Sequence, residues 1–127
     1  MKVLALDYGS ARTGVAVSDP SGMLARPLCV VERAGTEAGL ARLCELVREE
    51  GAERVVVGLP LTLRGTRGEQ ARETERFVEG LRAAVDVPIE TFDERFTTTL
   101  AGPGEGDDAR AAAHLLSSYL EWSSRQS

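Results

Sequence analysis

Lysine is almost missing from this chain of 127 residues: Lys2 stands alone against fourteen arginines. Histidine is as scarce, with His114 only, and the two cysteines, Cys29 and Cys44, lie far apart. Such a set cannot build a zinc centre, which takes several Cys or His side chains at short spacings. Nor can two cysteines make a disulfide scaffold, so reduced thiols in the cytoplasm are expected. Aromatic residues are 5% of the chain, and Tyr8, Tyr119 and Trp122 are too scattered for a base-stacking platform. No apolar run approaches the roughly 18 residues of a membrane span. The first apolar stretch, Val3 to Leu6, stops at Asp7, too soon for a signal peptide. Ser-His-Asp chemistry has no nucleophile-elbow motif to stand on. The net charge of −5 rules out a molecule that attracts nucleic acid by its overall field.

What is present is an ordinary globular composition, 43% hydrophobic and 28% charged. The length fits a single domain over residues 1–127. The arginine excess says little by number, because GC-rich codons would produce it; the positions of the arginines carry the information.

Lys2 to Asp7 reads as a strand buried on both faces. Gly9 to Thr13 makes a turn, Gly14 to Asp19 a second strand, Pro20 to Gly22 another turn, and Leu24 to Val31 a third strand. Short strands with tight links predict an antiparallel meander. Leu40, Leu43, Cys44 and Val47 then recur at helical spacing, and Gly51 ends that helix. Arg54 to Leu59, with three consecutive valines, is a buried strand. Thr66 and Glu69 have capping-box spacing for a second helix, whose apolar stripe is Thr74, Phe77, Val78 and Leu81. Pro88 to Asp93 is a fifth strand. The last helix runs from about Asp108 to Ser123, with Ala112, Leu115, Leu116, Tyr119 and Leu120 inward and His114 outward. Both cysteines read as core residues.

The order β-β-β-α-β-α-β-α, with right-handed crossovers, makes strands one, four and five parallel neighbours. This is an α/β, ribonuclease H-like arrangement: a mixed five-stranded sheet with helices on both faces. Ligands of open α/β sheets sit beyond the carboxyl ends of the parallel strands. Asp7 and Glu94 come to that edge from far apart in sequence. A third acid, Asp107 or Asp108, opens the last helix. Asp108 shares the buried helical face with Ala112, Leu116 and Leu120, whereas Asp107 is the better-placed cap.

Asp7, Glu94 and Asp108 would repel one another unless cations sat between them. Their hard oxygens suit Mg²⁺ or Mn²⁺, as one ion or two. Two ions can activate a water and stabilise the leaving oxygen of a phosphodiester. Arg12, Arg64, Arg67 and Arg95 follow the same strands and would form a phosphate-binding rim. Gly65 and Gly68 could offer backbone N–H groups to an anion ahead of the second helix.

Several blocks, in order, resemble the YqgF/RuvX family. They are Ala5-Leu6-Asp7-Tyr8-Gly9, Arg12-Thr13-Gly14-Val15-Ala16, Val57-Gly58-Leu59-Pro60 with Gly65 and Gly68, Asp93-Glu94-Arg95-Phe96-Thr97-Thr98, and Asp108-Ala109 with Ala111-Ala112, Leu116, Tyr119 and Leu120. The resemblance covers nearly the whole chain. It implies a cytoplasmic, ribonuclease H-like nuclease linked to 5′-end processing of pre-16S ribosomal RNA and also described as a Holliday-junction-resolvase homologue. It implies that Asp7, Glu94 and Asp108 form the metal-binding catalytic set. The implied partners are structured RNA or branched DNA, with ribosome-assembly partners in the first case. Symmetric junction cleavage would call for a homodimer.

One departure stands out. Only fourteen positions separate Glu94 from Asp108, and the bridge Phe96 to Asp107 is Gly-rich and acidic, where family members usually carry a longer, basic segment. It is the best support for another class of function, a non-catalytic RNA-binding ribosome-assembly factor. Asp7-x-Gly9 before a hairpin also resembles the phosphate-binding turn of actin-like ATPases. Those proteins close ATP between two such domains, and a single domain offers one wall.

Overall fold

The computed structural model describes residues 1–60, 68–93 and 108–126. Its elements are β1 (Val3–Asp7), β2 (Arg12–Ser18), β3 (Ala25–Glu32), α1 (Glu37–Glu50), β4 (Arg54–Leu59), α2 (Glu69–Ala84), β5 (Ile89–Asp93) and α3 (Asp108–Gln126). The five strands form one sheet in the order β3-β2-β1-β4-β5. β1 pairs antiparallel with β2, and β2 with β3, while β1–β4 and β4–β5 are parallel. This is the ribonuclease H-like arrangement expected from the sequence.

Period-two alternation along β1 explains the layering. Leu4 and Leu6 join a core with Leu43, Leu46 and Val47 of α1 and Phe77, Val78 and Leu81 of α2. Val3 and Ala5 face the other way, into a core with Ala112, Leu115, Leu116 and Tyr119 of α3. The steps from β1 to β4 and from β4 to β5 move in the same direction, so right-handed crossovers put α1 and α2 on one face. α3 covers the other face.

Helix ends follow local chemistry. Thr36 caps α1 by accepting from the Gly39 N–H at 3.2 Å. Gly51 closes the helix in the left-handed region at φ 64°. α2 begins at Glu69 behind Gly68, which has no side chain to cap it, rather than behind Thr66; Thr66 itself lies outside the described residues.

Other expectations are also corrected. β2 starts at Arg12, two residues earlier than its pattern implied. His114 is half-buried, not exposed, because α3 lies broadly across the sheet and covers the flanks of its stripe. Cys29 and Cys44 are half-buried and both are free thiols. Cys44 sits where α1 meets the end of α2 and donates its S–H to the Ala84 carbonyl at 3.0 Å.

Candidate nuclease site at the carboxyl edge of the sheet

β1 ends at Asp7 and β4 at Leu59, whose register partner is Asp93 at the end of β5. The same edge receives the start of β2, the first turn of α2 and the first turn of α3. Asp7 continues the Val3–Ala5 alternation and so lies on the α3 face of the sheet. Its register partner across the antiparallel pair is Gly14. Residues opposite each other in such a pair present their side chains to one face.

Gly14 is where α3 arrives. A Cβ built on it would run into the carbonyl group of Asp108 and come within 2.9 Å of the Ala109 nitrogen. The strand and the helix therefore touch backbone to backbone, and this contact seats Asp108 beside the residue that faces Asp7.

The Asp108 side chain is about one-third exposed, yet its Oδ2 is buried. Arg12 Nε lies 3.3 Å from that oxygen. Among the described residues no hydrogen bond is directed at it, so within them the contact is an ion pair with a lone pair to spare. Arg12 opens β2 two residues before Gly14, on the same face.

The turn between β1 and β2 is built to hold this edge. The Thr13 hydroxyl, fully buried, accepts from the Gly9 N–H and donates to the Gly9 carbonyl, both at 3.3 Å. Arg33, at φ 47°, donates its backbone N–H to the Ala11 carbonyl at 3.0 Å and ties the end of β3 to the same turn. Tyr8 turns to the opposite face and stacks on Phe77 with ring centroids 4.3 Å apart. Burial pushes its phenol pKa upward; nearby Glu73 adds to this and Arg76 opposes it.

The structure thus brings Asp7, Arg12 and Asp108 to one face of one edge. Gly68 stands at the start of α2 on that edge. Glu94, Arg64, Gly65, Arg67 and Arg95 lie outside the described residues, as does Asp107. A glycine inside a strand pattern signals close backbone approach, and that is the signal Gly14 carries in the sequence. Arg33 has no such signal, because only its tertiary contact with Ala11 brings it to the edge.

The donor set fits a hard divalent cation. A buried carboxylate oxygen to which no described residue directs a hydrogen bond, on the same face as a second carboxylate, offers the oxygen ligands that Mg²⁺ and Mn²⁺ take. Among the described residues, no group of three or more His, Cys, Asp or Glu side chains is gathered closely enough to hold an ion.

Fold and edge together define a ribonuclease H-like α/β protein with carboxylates at the carboxyl end of its parallel strands. Residues 1–122 match the RuvX family model, described as Holliday junction resolvase, and the chain belongs to this nuclease family. Relatives carry the name "Putative pre-16S rRNA nuclease". The one from Chloroflexus aurantiacus is 48% identical over 99 residues, 78% of this chain and 65% of its own length. The chain therefore spans just under two-thirds of that relative. The Chloroflexus aggregans relative is 46% identical over 94% of this chain and 92% of its own. The Moorella thermoacetica relative is 41% identical over 95% of each. Among solved structures, T. thermophilus RuvC in complex with Holliday junction substrate superposes with a TM-score of 0.65, covering 98% of this chain and 96% of that one. At 19% identity, that likeness speaks to fold alone.

Proposed function

We propose that this chain is a divalent-metal-dependent nuclease that hydrolyses phosphodiester bonds in structured nucleic acid, with the 5′ end of pre-16S ribosomal RNA as its substrate in the cytoplasm. The observation that carries the reading is the seating of Asp108 against Gly14, directly across the strand pair from Asp7. Two carboxylates so placed repel each other in a partly buried setting, and a cation between them removes that cost. The names of the relatives support the choice of substrate.

Asp7, Asp108 and Glu94 would hold Mg²⁺ or Mn²⁺. When bound, the ion supplies Lewis acidity toward the phosphate and lowers the pKa of a bound water. Asp7 contributes its carboxylate from a rigid strand end, and Asp108 from a helix start pinned by backbone contact. Both positions keep the acids in place before substrate arrives. Arg12, with Arg64, Arg67 and Arg95, pairs with phosphate oxygens of the substrate. Gly65 and Gly68 precede α2, whose first-turn N–H groups have no side-chain cap at Gly68 and suit an anion.

A second reading, cleavage of four-way DNA junctions, is favoured by the description of the matching family model. It would need two copies of the site, hence a homodimer. One experiment separates these readings: cleavage of precursor ribosomal RNA, a four-way junction and single-stranded controls, with and without Mn²⁺. Wild type should cut the precursor only with the metal, and Asp7→Asn should reduce cleavage at least a hundredfold. Equal cleavage by both proteins would overturn the assignment. RNA binding without cleavage, unchanged when Asp7, Glu94 and Asp108 are all replaced, would make the chain a ribosome-assembly factor instead.

A further inference from the structure

We infer that Gly14 is a positioning residue for the metal-binding pair: its missing side chain is the space in which the first turn of α3 rests, and this sets the separation of Asp108 from Asp7. The inference rests on the reading of these acids as cation ligands and adds a residue that holds no ligand atom of its own.

The geometry leaves little room for another residue. The atoms that a Cβ at position 14 would strike are the backbone C=O of Asp108 and, at 2.9 Å, the backbone N of Ala109. A flexible side chain could swing aside, but a helix backbone moves only as a body. Any larger residue must lift the start of α3 away from β2. Asp7 would not follow, because it belongs to β1, which is clamped between β2 and β4. The separation between the carboxylates would then grow while each remained chemically intact. Carboxylates that share a small cation must reach it at about 2.0–2.1 Å, so a displacement of an ångström is enough to uncouple them. Nothing about Gly14 otherwise demands glycine, since it is an ordinary strand position with no positive φ.

Gly14→Ala should weaken Mn²⁺ binding at least tenfold in calorimetry, with the circular dichroism spectrum kept. Leu43→Ala removes a fully buried side chain from the opposite face. It should lower the melting temperature by at least as much and leave Mn²⁺ affinity within twofold of wild type. Unchanged Mn²⁺ affinity in Gly14→Ala would overturn the inference. Asp7→Asn is measured in parallel: if it too binds Mn²⁺ like wild type, the fault lies in the metal reading. If Asp7→Asn loses the ion and Gly14→Ala keeps it, only the positioning role fails. Should Gly14→Ala not fold, Ala112→Val, which presses α3 off the sheet from a fully buried position one turn after Asp108, takes its place. Mn²⁺ affinity at least tenfold weaker supports the role of this contact, and affinity within twofold of wild type overturns it.

Discussion

Arg12 Nε stands 3.3 Å from Asp108 Oδ2, so this carboxylate already has a cation beside it that the chain itself supplies. The guanidinium is about half exposed, which keeps the pair weak, of the order of 0–1 kcal/mol after solvent screening. A divalent ion and Arg12 would compete for the same oxygen, and an Arg12 released from Asp108 is free to meet a phosphate. Arg12→Gln should therefore strengthen Mn²⁺ binding by up to about fivefold, the equivalent of 1 kcal/mol. The same substitution should weaken RNA binding and flatten the dependence of log K on log salt by about one charge. Calorimetry with the metal and a salt titration with precursor RNA check the two halves separately.

Leu116 is fully buried between α3 and the sheet, one helical turn beyond Ala112 and two beyond Asp108. Leu116→Ala should cost about 2–5 kcal/mol through lost contact and a residual cavity. Because it loosens the helix that carries Asp108, cleavage should fall further than the unfolded fraction accounts for. Denaturant unfolding and cleavage rates on the same preparation separate the two effects. A rate that merely tracks the folded fraction would show that α3 packing and the site are independent.

The layers of this molecule were largely written in its sequence. The valine run at 55–57, the stripe Thr74-Phe77-Val78-Leu81 and the terminating Gly51 each obey a local rule, so strands, helices and their order could be read directly. That Asp7 and the start of α3 lie at one edge of the sheet was legible too, because it follows from the element order and the handedness of the crossovers. What escaped was contact between distant backbones. No periodicity tells that Gly14 abuts Asp108, ninety-four positions later. The stripe of α1 is also wider than its spacing suggests. Leu40 and Cys44 are half-buried and reach α2, with the Leu40 side chain 3.7 Å from where a Cβ on Gly80 would lie and Cys44 hydrogen-bonded to the Ala84 carbonyl. Leu46 takes the buried position against the sheet in their stead.

Gly51 offers a test away from the site. It ends α1 at φ 64°, and a Cβ added there would meet nothing within 4 Å. The cost of Gly51→Ala is therefore conformational alone, about 1–2 kcal/mol for a left-handed alanine. In a domain of this size that lowers the melting temperature by roughly 3–8 °C. Cleavage at temperatures well below the transition should be unchanged, because Gly51 leads into the start of β4, at the far end of the strands from Asp7. Thermal melts and rates at low temperature check both statements.

Asp19 ties together the turn between β2 and β3. Its carboxylate accepts from the Ser21 hydroxyl and from the backbone N–H groups of Leu24 and Met23, at 3.0 and 2.8 Å. These bonds, the one from Ser21 first, lower its pKa from the usual carboxylate range to about 2. A carboxyl group whose folded pKa is depressed stabilises the fold at every pH above its unfolded value, near 4, and loses that contribution as pH falls toward 2. Wild-type stability should thus carry an acid limb between about pH 4 and pH 2 to which Asp19 contributes. Asp19→Asn retains an acceptor for Met23 and Leu24 but cannot titrate. Its melting temperature should lie below wild type at pH 7, and the gap should narrow steadily as pH drops through that window. A gap that stays constant from pH 7 to pH 2 would mean that the charge on Asp19 contributes nothing to the turn.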